Sequence, residues 1–220
     1  PTRTQQLIAR RMAESRATIP AFTLRTSVDM TDAVTLREQL KQTGHQPLPS
    51  YNDLIVKATA LALRLHPLAN SSYKDGRFET YSRVNIGIAV ATQDALIVPT
   101  IFDADQKTLT QLTTEARELA QRVREGTITP PEVSGATFTI SNLGMYAIDG
   151  FEAVINTPQA AILAAGRIQQ RPAGHNGQLT LRHQLDLALS CDHRILHGAP
   201  AAEFLTQIKH TLENPLALAL

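Results

Sequence analysis

Leu189-Ser190-Cys191-Asp192-His193-Arg194-Ile195-Leu196-His197-Gly198 is the stretch on which the reading of this chain turns. It closes an apolar run of strand character and leads into a run of helical character. A histidine stands at the junction, between an acidic and a basic neighbour. Such junctions hold a side chain fixed yet accessible, and an imidazole is suited to taking a proton near neutral pH. Alone, one histidine among seven is as well read as structural. What surrounds it decides.

Upstream, 179–190 reads as a long strand entered through the hairpin signal Asn176-Gly177. Downstream, 199–213 reads as the last helix, stopped by Pro215. Four more helices are expected at 4–15, 31–43, 50–65 and 108–125. Thr31 is read as the N-cap of the second. Ser50 and Asp53 form a capping box for the third, whose Leu54, Ile55, Ala58, Leu61, Ala62 and Leu65 give it a broad buried face. The segment 22–28 alternates apolar and polar residues, as a half-buried strand does, and Lys74-Asp75-Gly76-Arg77 marks a hairpin. Residues 84–92 and 95–102 are nearly unbroken β-type runs, read as interior strands. Short strands are expected at 137–140, 153–155 and 161–165. Roughly five helices and eight strands in mixed order predict an α/β sandwich with a large mixed sheet. No Rossmann or P-loop glycine pattern occurs.

The bulk properties narrow the function. The chain has 220 residues, 43% hydrophobic, enough for one substantial domain. A net charge of +1 gives no electrostatic case for nucleic acid or an anionic membrane. No apolar run approaches the ~20 residues of a membrane span. The single cysteine, Cys191, excludes an internal disulfide and fits a reducing compartment. It is read as buried rather than reactive. A start at Pro1-Thr2-Arg3-Thr4 points to a domain excised from a longer protein.

Besides His193, Ser141 is a candidate, in Phe138-Thr139-Ile140-Ser141-Asn142-Leu143-Gly144. A serine at a strand end is commonly a turn or cap residue; the functional reading is a hydrogen-bond donor to an oxyanion. No Gly-x-Ser-x-Gly elbow surrounds it, which argues against a hydrolase. Asp192 can be read simply as a partner for Arg194 or nearby backbone, and Arg10 and Arg11 as a solvated helix face. His183, His193 and His197 raise the question of a metal. No carboxylate-rich or His-x-x-x-His pattern on one clear helix face accompanies them, and no metal is expected.

Several segments in collinear order resemble the catalytic core of the dihydrolipoamide acyltransferases of 2-oxo acid dehydrogenase complexes. They are Leu7-Ile8-Ala9-Arg10-Arg11-Met12 with Thr18-Ile19-Pro20, then 84–92, Leu96-Ile97-Val98-Pro99, 138–144, 155–163 and Asp192-His193-Arg194. The resemblance covers the whole chain and makes 1–220 an acyltransferase catalytic domain, with lipoyl and subunit-binding domains expected upstream. It implies a chloramphenicol acetyltransferase-like two-layer sandwich and an obligate trimer with active sites between subunits. It also implies a larger hollow core, to which the apolar end Pro215-Leu216-Ala217-Leu218-Ala219-Leu220 would contribute. That end is equally readable as a cap on its own subunit.

In such a family a histidine matching His193 acts as base, and a serine or threonine matching Ser141, from the neighbouring subunit, holds the oxyanion. The substrates implied are coenzyme A and an acylated dihydrolipoyl group carried on a separate domain. The loop segments 141–146 and 155–158 look more like acetyl-transferring members than succinyl or branched-chain ones. The partners implied are a decarboxylating dehydrogenase and dihydrolipoamide dehydrogenase. The compartment implied is the bacterial cytoplasm, or the mitochondrial matrix or plastid in a eukaryote.

One position departs. The family usually reads Asp-His-Arg-x-x-Asp-Gly, and here His197 takes the second acidic place. A neutral imidazole brings no permanent negative charge to hold the active-site loop. Three readings stay open: full activity with the loop held differently, reduced activity, or a core-forming protein without turnover. A stand-alone acetyltransferase of the chloramphenicol type is a further alternative.

Overall fold

The structure, a computed structural model, describes residues 1–92 and 95–218. Ala219 and Leu220, the end of the apolar tail, lie outside the described residues.

In chain order the elements are α1 (Arg3–Thr18), β1 (Ala21–Asp29), α2 (Thr31–Gln42), α3 (Tyr51–Leu65), β2 (Ser71–Lys74), β3 (Arg77–Thr80), β4 (Ile86–Ile88), β5 (Val90–Ala91), β6 (Leu96–Ile97), β7 (Thr100–Ile101), α4 (Leu109–Glu125), β8 (Phe138–Asn142), β9 (Ala161–His175), β10 (Gln178–Asp192) and α5 (Gly198–Glu213). Six strands form one sheet in the order β1-β10-β9-β8-β4-β7. β8 is parallel to both of its neighbours, β4 and β9, and the remaining pairs are antiparallel. The sandwich with a large mixed sheet is therefore as expected.

All five helices lie where periodicity places them, within about three residues at each end. The capping box of α3 forms: the Ser50 hydroxyl accepts from the Asp53 N–H, and the Asp53 carboxylate accepts from the Ser50 N–H. Both hairpins turn on consecutive positive-φ residues, Asp75-Gly76 and Asn176-Gly177. That is why an Asx-Gly pair marks each of them. The start of α2 differs by one residue. Met30 is its N-cap, and the Thr31 hydroxyl instead accepts from the His183 N–H across to β10.

The 84–92 and 95–102 runs are not two long strands. The chain leaves the main sheet after Ile88, and Val90-Ala91 pairs with Leu96-Ile97 in a separate two-stranded ladder. Pro99 has no N–H to donate and can only accept, from Ile88. Hydrophobicity without a period does not show where a ladder stops. The expected strand at 153–155 is absent too. That segment lies against the sheet instead of joining it: Ile155 packs with Ile19 and Ile162, and its carbonyl accepts from the Ser15 hydroxyl.

The two sheet faces are unlike. One carries Val28, Ile140, Leu163, Leu187, Leu189 and Cys191 against α3 and α5 and forms the main core. α3 is buried nearly all round, and Phe204 of α5 meets Phe138 of β8 edge-on at 5.6 Å. The opposite face is more polar, with Thr23 and Ser190 sharing a hydrogen bond and Arg25 paired to Glu152. The segment 148–157 crosses this face. Gly166 lets it sit close, since a Cβ there would lie 1.8 Å from the Asp149 carbonyl oxygen. Beyond Asp29 and Asn142 the β9–β10 ribbon has no sheet neighbour among the described residues and projects as an arm, with Leu179 and Leu181 exposed.

Cys191 is fully buried. Desolvation, reinforced by the adjacent Asp192 charge, pushes its thiol up to about 12. This matches the reading of an inert core cysteine. The reactive thiolate is depleted by a factor on the order of 10³ relative to a free thiol. In folded protein at mildly alkaline pH, iodoacetamide is expected to leave Cys191 unmodified over a time that labels it fully after denaturation. Rapid native-state labelling would contradict the burial.

Overpacking at Gly166 is expected to cost about 1–3 kcal/mol. Gly166→Ala should therefore lower the thermal midpoint by several degrees at fixed protein concentration. Gly174→Ala, where a Cβ meets nothing within 4 Å, should shift it far less. Equal shifts would show that close approach at Gly166 is not the constraint.

Candidate active site

The corner between β10 and α5 is built around one carboxylate. Asp192 is 1% exposed and so must be paired. Its Oδ1 accepts from the Arg194 backbone N–H and Nε, both at 2.9 Å, and its Oδ2 from Arg194 Nη2 at 2.7 Å. The guanidinium also stacks over the Tyr73 ring at 4.3 Å. Hydrogen bonding to Asp192, and then its charge, raise Arg194 above its ordinary value. The Asp192 carbonyl accepts from Ile195 and Leu196, whose side chains enter the core. With those residues turned inward, His193 and His197 turn outward, and both are exposed.

His193 is held on three sides. Its N–H donates to the Pro20 carbonyl at 3.0 Å. Its ring lies 4.6 Å from that of Phe22 on β1. Its Nδ1 is 3.4 Å from Nδ1 of His197. Among the described residues its Nε2 makes no hydrogen bond, so that nitrogen is available for proton transfer. Asp192 pairs with Arg194, as one reading of the sequence had it. His183 is far away, paired with Gln170 beyond the end of β1. The three histidines therefore do not converge.

Ser141 lies elsewhere. It is on β8, opposite Ala164, which in turn pairs with Ala188 of β10. Ser141 is thus two strands across from His193 and five ladder positions away. At about 3.3 Å per residue and 4.8 Å per strand, the separation is on the order of 20 Å. One chain does not bring the two groups to the same reacting atoms. Ser141 instead lines a cleft of about 590 Å³ with Asn52, Ile88, Arg117, Arg124 and Tyr146, and His193 is not part of that lining.

The loop after Ser141 is fixed by its neighbours. Asn142 donates to Asn52 Oδ1 at 3.1 Å, and its own Oδ1 accepts from the Gly144 N–H at 2.8 Å. Gly144 runs so close to β9 that a Cβ would lie 2.7 Å from the Gly166 carbonyl. Three partners were not read from the sequence: Phe22, which appeared only as an alternating strand residue; Asn52; and the direct contact of the two histidine rings. The His-x-x-x-His spacing was visible at 193–197, but it precedes a helix rather than lying on one.

The chain matches the family model for the 2-oxoacid dehydrogenases acyltransferase (catalytic domain) over residues 1–220. It is 38% identical over 98% of its length to the dihydrolipoyllysine-residue acetyltransferase component of the pyruvate dehydrogenase complex from Rickettsia bellii. It spans about half of that relative, 52%.

Among solved structures it superposes with a TM-score of 0.95 and 34% identity on the dihydrolipoamide acetyltransferase of Azotobacter vinelandii. The match covers 100% of this chain and 92% of that one. The Azotobacter structure comes from a study of the catalytic role of a serine, a histidine and an asparagine. A structure of the cubic core of the pyruvate dehydrogenase multienzyme complex matches with the same TM-score, 0.95, at 34% identity and with the same coverage of 100% and 92%. Chloramphenicol acetyltransferase, at 16% identity and TM-score 0.56 over 92% of this chain and 94% of its own, shares the fold alone. By its sequence and its fold together, this chain belongs to the catalytic-domain family of the 2-oxoacid dehydrogenase acyltransferases.

Proposed function

We propose that this domain transfers an acetyl group between an acyl-dihydrolipoyl thioester and coenzyme A, with His193 as base and Ser141 as oxyanion donor. The observation that carries the reading is the pair of half-sites. An outward imidazole with its Nε2 open stands at one rigid corner. A serine on a strand end, in a cleft with two arginines, stands on the order of 20 Å away. Neither half suffices alone. Assembly as a trimer would bring His193 of one subunit to Ser141 of the next. The exposed Leu179 and Leu181 on the arm and the exposed Leu7 on α1 support such packing. Assembly of trimers into a larger hollow core, with a decarboxylating dehydrogenase and dihydrolipoamide dehydrogenase bound to the complete protein, belongs to the same proposal. No helix among the described residues is long and apolar enough to cross a membrane. A bacterial cytoplasm, mitochondrial matrix or plastid suits the reading.

The chemistry follows from the groups present. His193 Nε2 takes the proton of the coenzyme A thiol, and the thiolate attacks the thioester carbonyl carbon. The tetrahedral oxyanion accepts a hydrogen bond from the Ser141 hydroxyl. Collapse breaks the bond to the lipoyl sulfur, which recovers the proton from His193. No covalent enzyme intermediate is needed.

The reading of a core without turnover rests on the missing charge at His197. In the Azotobacter enzyme, the serine, histidine and asparagine are separated by the same intervals as Ser141, His193 and His197 here. An uncharged residue at the third position of an acetyltransferase supports turnover in this chain as well.

With acetyl-CoA and free dihydrolipoamide as substrates, His193→Ala is expected to lower kcat by ~10²–10⁴-fold. Ser141→Ala is expected to lower it by ~10²–10³-fold. Both variants should keep the wild-type sedimentation profile. A folded, assembled wild type with no turnover would reject the function. A His193→Ala variant that is monomeric or unfolded would make the histidine structural.

A further inference from the structure

His193 and His197 meet nitrogen to nitrogen, Nδ1 to Nδ1 at 3.4 Å, with ring centroids 5.3 Å apart. Two imidazole nitrogens hydrogen-bond only when one carries a proton and the other a lone pair. This contact therefore couples the tautomers of the two rings. If His193 donates, its proton sits on Nδ1 and its Nε2 lone pair faces outward, competent as a base. If His197 donates, His193 carries its proton on Nε2 and cannot take one from a thiol.

Resting on the function proposed above, we infer that His197 is a positioning residue. Its Nδ1 accepts from His193 Nδ1–H, fixes the base-competent tautomer and steadies the imidazolium formed as the thiol proton arrives at Nε2. A hydrogen bond from a charged donor is stronger than one from a neutral donor, so the contact tightens as the reaction proceeds. The logic is that of a third residue orienting a catalytic histidine, performed here by a neutral acceptor. The charged groups at this corner, Asp192 and Arg194, are bound to each other and leave His193 Nδ1 to His197.

The backbone supports this role. His197 stands at the N-cap of α5, and its carbonyl accepts from Ala201. Its side chain makes no capping hydrogen bond to the helix. The ring is therefore not committed to holding the helix start, and replacing it leaves the corner and its buried residues in place. What the substitution removes is the acceptor.

The test is a small series on the assembled protein, assayed with acetyl-CoA and dihydrolipoamide. His197→Leu keeps bulk and removes the acceptor; kcat is expected to fall roughly 10- to 100-fold, as loss of a hydrogen bond to a charged group gives, with KM for acetyl-CoA changed less than about twofold. His197→Asn restores an acceptor oxygen and should recover most of that loss. In a His193→Ala background, His197→Leu should add nothing, because the residue acts only through His193. Equal losses for Leu and Asn, an undiminished kcat in His197→Leu, or a full further loss on top of His193→Ala would each overturn the inference. Inactive wild-type protein would instead overturn the function on which it rests.

Discussion

The buried Asp192 carboxylate is the constraint on which the site depends. A charge that is 1% exposed must be compensated locally, and it is, by the guanidinium two residues on, itself stacked on Tyr73. Removing one partner of such a pair commonly costs about 3–5 kcal/mol. This pairing forces a tight turn between β10 and the last helix. Within that turn Ile195 and Leu196 are drawn into the core. The two histidines before and after them, His193 and His197, have only one direction left. The outward, anchored imidazole is thus a consequence of how the chain satisfies a buried acid.

The sheet holds this histidine apart from the serine on β8. Its register separates Ser141 from His193 by two strands and several ladder steps, and no side-chain rotation spans that distance. The same sheet has one apolar face under the helices and a more polar one crossed by the 148–157 segment and the end of α1. Its longest ribbon runs past its neighbours and presents leucines to the outside. On the proposed reading, another copy of the domain would complete the divided site and cover the exposed leucines of the arm.

The helices were legible because each carries a period and a cap. Ser50-x-x-Asp53 and the amphipathic 108–125 stretch behaved as local rules predict. The hairpins were legible because Asx-Gly pairs enter the left-handed region at little cost. The broken strands were not legible. The apolar runs 84–92 and 95–102 carry no mark of where the main ladder stops, after Ile88, and resumes, at Thr100. The 153–155 segment was misread because its burial, which looks like strand burial, comes from packing on Ile19 and Ile162. At the site, Ser141 and His193 were picked out by position and motif. Their distance was hidden, since it depends on strand order. The histidine contact was hidden because its spacing was judged against a helix that begins one residue later.

The central claim is that each active site takes its histidine from one subunit and its serine from another. Subunit complementation tests it most directly. His193→Ala and Ser141→Ala proteins, each nearly inactive, are dissociated together, reassembled at equal ratio and assayed. A cyclic arrangement with random mixing predicts recovery to roughly a quarter of wild-type activity, since about one interface in four pairs the intact histidine with the intact serine. If the mixed assemblies, verified to contain both variants, show no more than the average of the two parents, the site is not shared between subunits and the account is wrong.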